Sequence, residues 1–511
     1  MTISKLTLAV AAVLGAGATF SAYAIDLYVD VKTKQIYAEP GPHRQLMGSF
    51  VQVDEAAALA ASKPAESAEL ASVKEDLELK TNEIKALQEH MTAAEEFKVK
   101  VDKNGLQAES ADKKYKFKLG GRIHADSVFS GNDDLVSAGT TTHREASDGT
   151  YIRRARMRFE GVFDKDWLFR TEADFADDNV RMKDIFIEYN GWDSGRLTLG
   201  QQKQNFSREL QESSNDMMFM ERSLMDVLNN PTVDRAIGVN YETKGSNWVA
   251  KLGAYGDSIT PARTDSGTCG DSKATPESCK DGRKNAGDEG WGVSSRLIYN
   301  PILEKDKLIH LGVAGNYRTP DDTGDVAKGS DLHYRYRTTN NQTNLSLLDT
   351  KVENVDDIKM LGLEAAGLYG PFSVGGEYTH TWVQRKDGSP DLSLDGWYAE
   401  AAWSITGESR QYKEGNFRYL KPAKKFNLKN GTWGAWELAT RWSEVNLNDR
   451  EFRGGQMSQL TVALNWYINE NVRFLADYNR NFNFNNPAVT YTNGSDPDSL
   501  NTFMMRAQVA Y

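Results

Sequence analysis

Apolar and polar residues alternate in many short segments between Lys113 and Tyr511, and this alternation limits the possible folds more than any other property of the chain. Successive side chains leave a β-strand on opposite faces, so an alternating segment gives the strand one apolar and one polar face. Many of the segments are aromatic, and loops rich in Gly, Asn and Asp separate them. The pattern predicts an all-β fold for this region.

The segment GTYIRRARMRFEGVF shows the alternation most clearly, and DWLFRTEADF continues it after residues 164–166. So short a separation predicts a tight turn. The apolar residues of the first segment include Ala155, Met157 and Phe159. The charged residues of the two segments that would share the opposite face are Arg154, Arg156, Arg158, Glu160, Arg170, Glu172 and Asp174.

Alternation alone also fits a soluble β-sandwich, which buries its apolar face in a core. A membrane barrel instead turns its apolar face to lipid and its polar face to a wet lumen. Outward Trp and Tyr positions and a last strand that ends in the aromatic Tyr511 favour the barrel. About 400 residues, at roughly 25 per strand with its connection, predict a transmembrane antiparallel β-barrel of about 16 strands over residues 110–511.

The first 24 residues have the three parts of a secretory signal peptide. Lys5 precedes an apolar stretch over residues 6–20, and the small-residue site Ala22-Tyr23-Ala24 follows it. An N-terminal membrane anchor is the alternative, but the stretch is shorter than the roughly 20 residues that a spanning helix needs. We therefore expect export, cleavage near Ala24 and a location in the bacterial outer membrane.

A coiled coil is predicted over residues 56–100, after a linker over residues 25–55. This part of the chain is rich in Ala, Glu, Lys and Leu, and its apolar residues recur at heptad spacing. Lys80 occupies an inner position, which lowers stability but can set the register. An isolated surface helix is the alternative. The predicted seam consists of Leu70, Val73, Leu77, Lys80, Ile84, Leu87 and Met91.

The two cysteines, Cys269 and Cys279, lie in a loop of turn-forming and charged residues. Export to an oxidising compartment predicts a disulfide between them. A metal site is the rival, but no His is nearby and two thiols form only half of a zinc site. The disulfide is interpreted as a loop staple without a role in transport.

The chain has a formal net charge of -11, which argues against nucleic acid as a partner. It contains no G-x-S-x-G, H-E-x-x-H or G-x-x-x-x-G-K-[ST] motif. The sequence therefore favours a protein that is not an enzyme and needs neither a cofactor nor a metal.

Seven segments, in family order, resemble the phosphate-selective porin family typified by porins O and P. The resemblance covers residues 113–511, and the segments are GTYIRRARMRFEGVF, RLTLGQQKQNF, FMERSLMDVLNNPTVDRAIGV, GLYGPFSVGGEYTH, YAEAAWSITGESRQY, GTWGAWELATRWSEVNLND and RGGQMSQLTVALNWYINENVRFLADYNR. It implies a homotrimer of 16-stranded barrels in outer-membrane lipid. It also implies a long loop folded into each pore, with Arg and Lys drawing small anions such as phosphate inward. Some members carry an N-terminal coiled coil.

Carried over residue by residue, the resemblance assigns Arg153 and Arg154 to the family's Arg doublet and residues 201–235 to the region of the infolded loop. That loop also holds six acids, namely Glu209, Glu212, Asp216, Glu221, Asp226 and Asp234. The loop as a whole is therefore not basic. Candidate residues of the anion pathway are Arg153, Arg154, Arg156, Arg158, Arg170, Lys203, Arg208, Arg222, Arg235, Arg441 and Arg473.

Two interpretations of the lumenal arginines remain open. A row at every second position, such as Arg154, Arg156 and Arg158, would place anion sites about 7 Å apart for stepwise transfer. Alternatively the arginines pair with lumenal acids, which would brace a general, weakly selective porin. A third hypothesis, compatible with either, is an envelope tether in which the coiled coil reaches the cell wall.

Overall fold

The structure, a computed structural model of the chain, describes residues 25–50, 65–95, 97–102, 105–131, 135–140, 142–144, 146–176, 180–259, 289–320, 330–337, 345–386 and 388–511. The predicted signal peptide and both cysteines, Cys269 and Cys279, lie outside these residues. Cleavage near Ala24 and the disulfide therefore stay predictions.

The chain divides into two compact units, Met1–Ala94 and Glu95–Tyr511. The first contains an antiparallel sheet of three strands in the order β2-β1-β3, formed by β1 (Ile25–Asp30), β2 (Ile36–Tyr37) and β3 (Arg44–Phe50). A linker was predicted over residues 25–55, so this sheet is a difference from the prediction. Its cause is visible in β1, where Ile25, Leu27 and Val29 alternate with polar residues at the period of a strand.

Helix α1 (Ala65–Glu95) forms within the predicted coiled-coil segment. It ends before residue 100, because Phe97, Val99 and Val101 alternate with polar residues and form the strand β4 (Phe97–Asp102). Lys80 pairs with Glu83 at 2.8 Å on the helix surface. Four residues of the predicted coiled-coil seam are more than half exposed, namely Val73, Leu77, Ile84 and Leu87. The side chains of Leu70 and Met91 lie outside the described set.

The second unit is built almost entirely of strands. After β4 these are β5 (Gly105–Ser110), β6 (Lys116–Ser130), β7 (Leu135–Ser137), β8 (His143–Arg144), β9 (Gly149–Phe163), β10 (Trp167–Asp174), β11 (Arg181–Trp192), β12 (Gly195–Lys203), β13 (Arg235–Lys244), β14 (Trp248–Tyr255), β15 (Trp291–Leu303), β16 (Lys307–Thr319), β17 (Ser330–Arg337), β18 (Ser346–Tyr369), β19 (Phe372–Arg385), β20 (Leu392–Ser404), β21 (Tyr412–Lys413), β22 (Asn416–Phe417), β23 (Ala435–Asp449), β24 (Phe452–Tyr467), β25 (Val472–Asn485), β26 (Val489–Tyr491) and β27 (Ser499–Ala510). The described residues of this unit also form two short helices, α2 (Arg208–Gln211) and α3 (Asp226–Val233), and a 3₁₀ turn at Leu428–Asn430.

Sixteen of the described strands close into one antiparallel barrel, which confirms the predicted fold and strand number. They are β6, β9 to β16, β18 to β20, β23 to β25 and β27. The first and last of them pair from Thr502 opposite Ser130 to Ala510 opposite Arg122. Beyond that point Gly121 and Tyr511 exchange backbone hydrogen bonds of 2.8 and 3.0 Å. Tyr511 is therefore part of the strand pairing that closes the barrel.

Strand β9 has the alternation that its sequence predicts. Met157 and Phe159 are exposed on the outer face, whereas Arg154 is buried inside the barrel. The turn from β9 to β10 consists of residues 164–166, in which Asp164 and Lys165 have φ values of 47° and 70°. Turns of two to four residues join most neighbouring strands at this end of the barrel, here called the turn end, and most connections at the opposite, loop end are longer.

Strict alternation fails at the Arg doublet. His124 of β6 pairs with Arg154 and Ala125 pairs with Ile152, so Arg153 is an extra residue in a β-bulge. The bulge turns Arg153 inward next to Arg154, where alternation alone would send it outward. Both members of the doublet therefore face the lumen.

Part of the lumen is filled near the loop end. The apolar face of the β17–β18 hairpin, with Leu332, Tyr334 and Val352, belongs to one buried cluster with Leu224 and Leu228 of the connection between β12 and β13. The part of the lumen that stays open therefore lies beside the wall around β9 to β14. Among the described residues, no helix is both long enough and apolar enough to cross a membrane.

Candidate functional site in the barrel lumen

The connection 204–234, between β12 and β13, folds into the barrel. Phe206, Leu210 and Leu224 are at most 1% exposed although no regular sheet includes them. The family resemblance predicted an infolded loop over residues 201–235. We call residues 204–234 the infolded loop.

Arginines of the barrel wall hold the backbone of the infolded loop. Each donates to a main-chain carbonyl that an irregular buried segment would otherwise leave without a partner. The bonds run from Nη1 of Arg473 to Met217 O (2.9 Å), from Nη1 of Arg506 to Met220 O (2.7 Å) and from Nη2 of Arg441 to Glu221 O (3.0 Å). Charged side chains of the wall therefore hold the infolded loop in place.

Two predicted pathway residues hold the loop and do not line the open lumen. Arg208 donates from Nη2 to Glu400 and to the Tyr398 hydroxyl, each at 2.6 Å. Arg441 donates to Glu209 at 3.0 Å. Both arginines are buried at 1% and 2% exposure, so their charges are neutralised by acids of the wall and loop.

The open lumen contains a cavity of about 880 Å³. Among the described residues that line it, sixteen are Lys or Arg and nine are Asp or Glu. The excess is local, because the whole chain has a net charge of -11. Nine predicted residues line the cavity: Arg153, Arg154, Arg156, Arg158, Arg170, Lys203, Arg222, Arg235 and Arg473. Seven further cations were not predicted: Arg122, Arg181, Lys183, Arg196, Lys251, Lys413 and Arg418.

The arginine row on β9 divides into a braced centre and two looser flanks. Arg156 donates to Asp174 at 2.7 Å and to Glu172 at 3.0 Å. Arg154 lies 3.7 Å from Glu221, and Arg158 lies 3.7 Å from Glu160. Within the described part of the chain, the Nε groups of Arg154 and Arg158 have no hydrogen-bond acceptor. The brace therefore applies to Arg156, whereas Arg154 and Arg158 lie no nearer than 3.7 Å to these carboxylates.

Three other cavity cations bind neutral oxygens. Lys203 donates to Leu210 O (2.7 Å) and Glu212 O (2.9 Å), and Arg222 donates to Glu209 O (3.2 Å). Arg473 donates to the Gln508 side chain at 2.9 Å besides Met217 O. No carboxylate of the described residues forms an ion pair with any of the three. Carbonyl dipoles solvate these side chains in place of an acid.

Arg170 and Arg235 share a carboxylate. Arg235 donates from Nε to Asp184 at 2.7 Å, and Arg170 lies 3.8 Å from the same side chain. Arg170 also donates to Glu160 at 2.7 Å. These two predicted residues therefore brace the wall between β9 and β13 more than they add to the positive potential of the lumen.

The acids of the infolded loop offset its cations only in part. The loop lies outside the membrane-crossing strands, and burial raises the pKa of Glu212 to about 7 and that of Asp226 to about 6. Glu209 accepts hydrogen bonds from Arg441 and from Ser223. Near neutral pH, Glu212 is therefore partly protonated, and the loop is less acidic than its composition indicates.

A second segment, residues 405–434 between β20 and β23, enters the lumen from the turn end and was not predicted from the sequence. Arg410 donates to Asp216 O at 2.7 Å, Arg418 donates to the Asp216 carboxylate at 3.2 Å, and the Tyr419 amide donates to the same carboxylate at 3.2 Å. The two infolded segments therefore meet at Asp216. The length of this connection, at an end where the other turns have two to four residues, could have predicted it.

The comparisons with known proteins agree with this architecture. The family model of phosphate-selective porin O and P matches residues 117–511. The chain belongs to this porin family. Porin O of Pseudomonas aeruginosa is 28% identical over 424 residues, which cover 77% of this chain and 88% of that protein. An uncharacterized protein of Caulobacter vibrioides is 28% identical over 381 residues, which cover 74% and 70%.

Two solved outer-membrane proteins also align with the chain. The channel DcaP of Acinetobacter baumannii has a TM-score of 0.46 at 11% identity and covers 79% of this chain and 99% of its own. A loop L8 deletion mutant of OmpT of Vibrio cholerae has a TM-score of 0.47 at 10% identity, with coverage of 78% and 100%.

As an outer-membrane porin, the protein meets lipid with its outer face. Apolar side chains such as Leu297 and Val313 are exposed there because hydrocarbon, not water, is their solvent. Near the turn end, Trp167 and Tyr189 lie 4.7 Å apart and Tyr189 and Trp192 lie 5.2 Å apart, measured between ring centroids. Such rings are favoured at membrane interfaces.

Proposed function

We propose that this porin is an anion-preferring channel for phosphate or similar small anions. The observation that supports the proposal is the cavity lining, with its sixteen cations against nine acids. The family membership supports a channel function, and we infer that the protein is not an enzyme. A general, weakly selective porin is the alternative.

The cost of dehydration explains why the cations matter. An oxyanion that enters a narrow pore loses part of its hydration, and an uncompensated charge in such a place is costly. Guanidinium groups offer planar, permanently charged donors in place of the lost water. Among the cations solvated by carbonyls, Arg222 and Arg473 are the strongest candidates, because neither forms an ion pair with an acid of the described residues.

The ladder hypothesis is supported at two of its three rungs. Arg154 and Arg158 each lie 3.7 Å from a carboxylate, whereas Arg156 donates to two acids at 2.7 and 3.0 Å. Weak retention at each site is an advantage, because a site that binds an anion too tightly stops conduction.

The zero-current potential of the purified protein in a planar bilayer under a KCl gradient tests the proposal. We expect the sign of an anion-selective pore, and a reduction of chloride current when phosphate is added. Arg158→Gln should lower the anion preference, whereas Arg480→Gln, on the exposed outer face of β25, should not. A cation-selective or unselective wild-type pore contradicts the proposal and favours the general porin.

We further propose that α1 forms a coiled coil with other copies of the chain, in a homotrimer. The four exposed seam residues of α1, which a lone helix would leave in water, support this association. The tether hypothesis adds the cell wall as a binding target of the same segment. Deletion of residues 50–100 separates the roles. Loss of envelope integrity at unchanged conductance supports a tether, and an intact envelope contradicts it.

A further inference from the structure

The carboxylate of Glu221, at the inner end of the infolded loop, lies among three arginines. Arg153 donates from Nε to Oε1 at 2.8 Å and from Nη2 to Oε2 at 2.9 Å. Arg506 donates from Nη2 to Oε1 at 2.9 Å, and Nη2 of Arg154 lies 3.7 Å from Oε2. The Arg doublet on β9 is thus already in contact with an anion that belongs to the protein.

The geometry of this contact is the one that a free oxyanion would use. A guanidinium binds a carboxylate or a phosphate through two parallel N–H···O bonds, and Arg153 binds Glu221 in this way. The bulge at Arg153 makes the contact possible, because it turns this arginine into the lumen. Both arginines of the doublet also line the open cavity, so a permeating anion can reach them.

The local charge balance leaves room for competition. Arg506 is also bound in bidentate fashion by Asp126, with two bonds of 2.7 Å. Three arginines therefore face two carboxylates, and the Nε of Arg154 has no acceptor among the described residues. The neighbouring ring of His124, buried between Arg154 and Asn215, contacts both through its two nitrogens and supplies no carboxylate.

We propose that Glu221 is a resident counter-ion that competes with the permeating anion for the Arg153–Arg154 doublet and thereby limits how tightly the channel binds anions. The inference rests on the proposed anion preference and names the residue that sets its strength. A fixed carboxylate cannot diffuse away, so a free anion must displace it each time. Removal of its charge should convert the doublet into a tighter and slower anion site.

Glu221→Gln tests the proposal, with inorganic phosphate as the probe. We expect the phosphate concentration that halves the chloride current to fall by about tenfold or more, equivalent to about 1.4 kcal/mol. Glu188→Gln is the matched control, because it removes one negative charge from the lining of the same cavity away from the doublet. An unchanged phosphate affinity in Glu221→Gln, or an equal gain in Glu188→Gln, contradicts the proposal.

Two further variants separate competition from damage to the loop. In Arg153→Gln/Glu221→Gln the gain in affinity should disappear, because the tight site needs the arginine. If Glu221→Gln forms no channels, Glu221→Asp decides instead: its shorter carboxylate should give an intermediate gain, and wild-type affinity there overturns the proposal. The wild-type potential under a KCl gradient reports on the anion preference alone, so a failure of the proposed function is distinguished from a failure of this inference.

Discussion

Replacement of Arg506 by Met should destabilise the barrel more than any surface substitution. Arg506 and Asp126 lie on the two strands that close the barrel, each is 2% exposed, and two bonds of 2.7 Å join them. Arg506→Met leaves the Asp126 carboxylate buried without its partner, which costs about 3–5 kcal/mol. The variant also loses the bond to Met220 O, a further loss of about 1 kcal/mol.

The free energy of unfolding in urea, measured on protein reconstituted in lipid vesicles, provides the assay. Heat-dependent gel mobility and Trp fluorescence report the folded fraction. Arg506→Met should lower this free energy by at least about 3 kcal/mol. The double variant Asp126→Asn/Arg506→Met should recover most of the loss, because no buried charge is left unpaired.

Arg337→Met, at an exposed position of β17, is the control and should stay within about 0.5 kcal/mol of the wild type. Two results would refute the reasoning: a loss of less than about 1 kcal/mol of unfolding free energy in Arg506→Met, or a double variant as unstable as the single one. Either would show that the pair does not stabilise the junction of the first and last barrel strands.

Three further predictions concern the lumen. Arg473→Gln should shift the zero-current potential toward cation selectivity, whereas Arg156→Gln/Glu172→Gln, which removes a cation together with an acid that it binds, should leave it nearly unchanged; equal shifts contradict the distinction between carbonyl-bound and acid-bound cations. Anion preference should rise as the pH falls from about 8 to about 5, because burial raises the pKa of Glu212 to about 7 and that of Asp226 to about 6, and both lose negative charge in this range. The change should be much smaller in Glu212→Gln/Asp226→Asn, and an unaltered pH profile in that variant assigns the effect to other groups. Asp216→Ala should raise single-channel conductance, since it removes the carboxylate at which the two infolded segments meet, and an unchanged conductance shows that this contact does not restrict the pore.

The sequence predicted those features that depend on neighbours along one strand. Met157 and Phe159 face outward because alternation is a local property of the backbone, and the strand number followed from the length of such segments. The inward turn of Arg153 was not predictable from alternation, because the bulge is defined by pairing with His124 and Ala125 on another strand. Alternation placed Arg154 on the lumenal face, and only the family resemblance assigned Arg153 to the pathway.

The partners of each cation were also beyond the sequence. Arg208 and Arg222 lie in the same loop and have the same chemistry, yet Arg208 meets Glu400 of β20 and Arg222 meets main-chain carbonyls. Contacts between residues almost two hundred positions apart depend on how the barrel closes. The sheet over residues 25–50 and the segment 405–434 were missed because the first was short and the second lacks a strand pattern over most of its length.

The division of the lumenal cations into two classes explains how one set of residues both builds and charges the pore. A cation that binds a carboxylate, such as Arg156 or Arg208, stabilises the wall, and the pair adds little to the positive potential of the pore. A cation that binds main-chain carbonyls, such as Arg473, satisfies buried acceptors of the infolded loop and keeps its full charge toward the cavity. Carbonyl partners therefore allow a constriction to be rigid and positive at once, which acids alone cannot provide. The proposed counter-ion Glu221 pairs with the doublet from a loop that the other arginines hold in place, so a change of this one residue should alter anion affinity without a change of the wall.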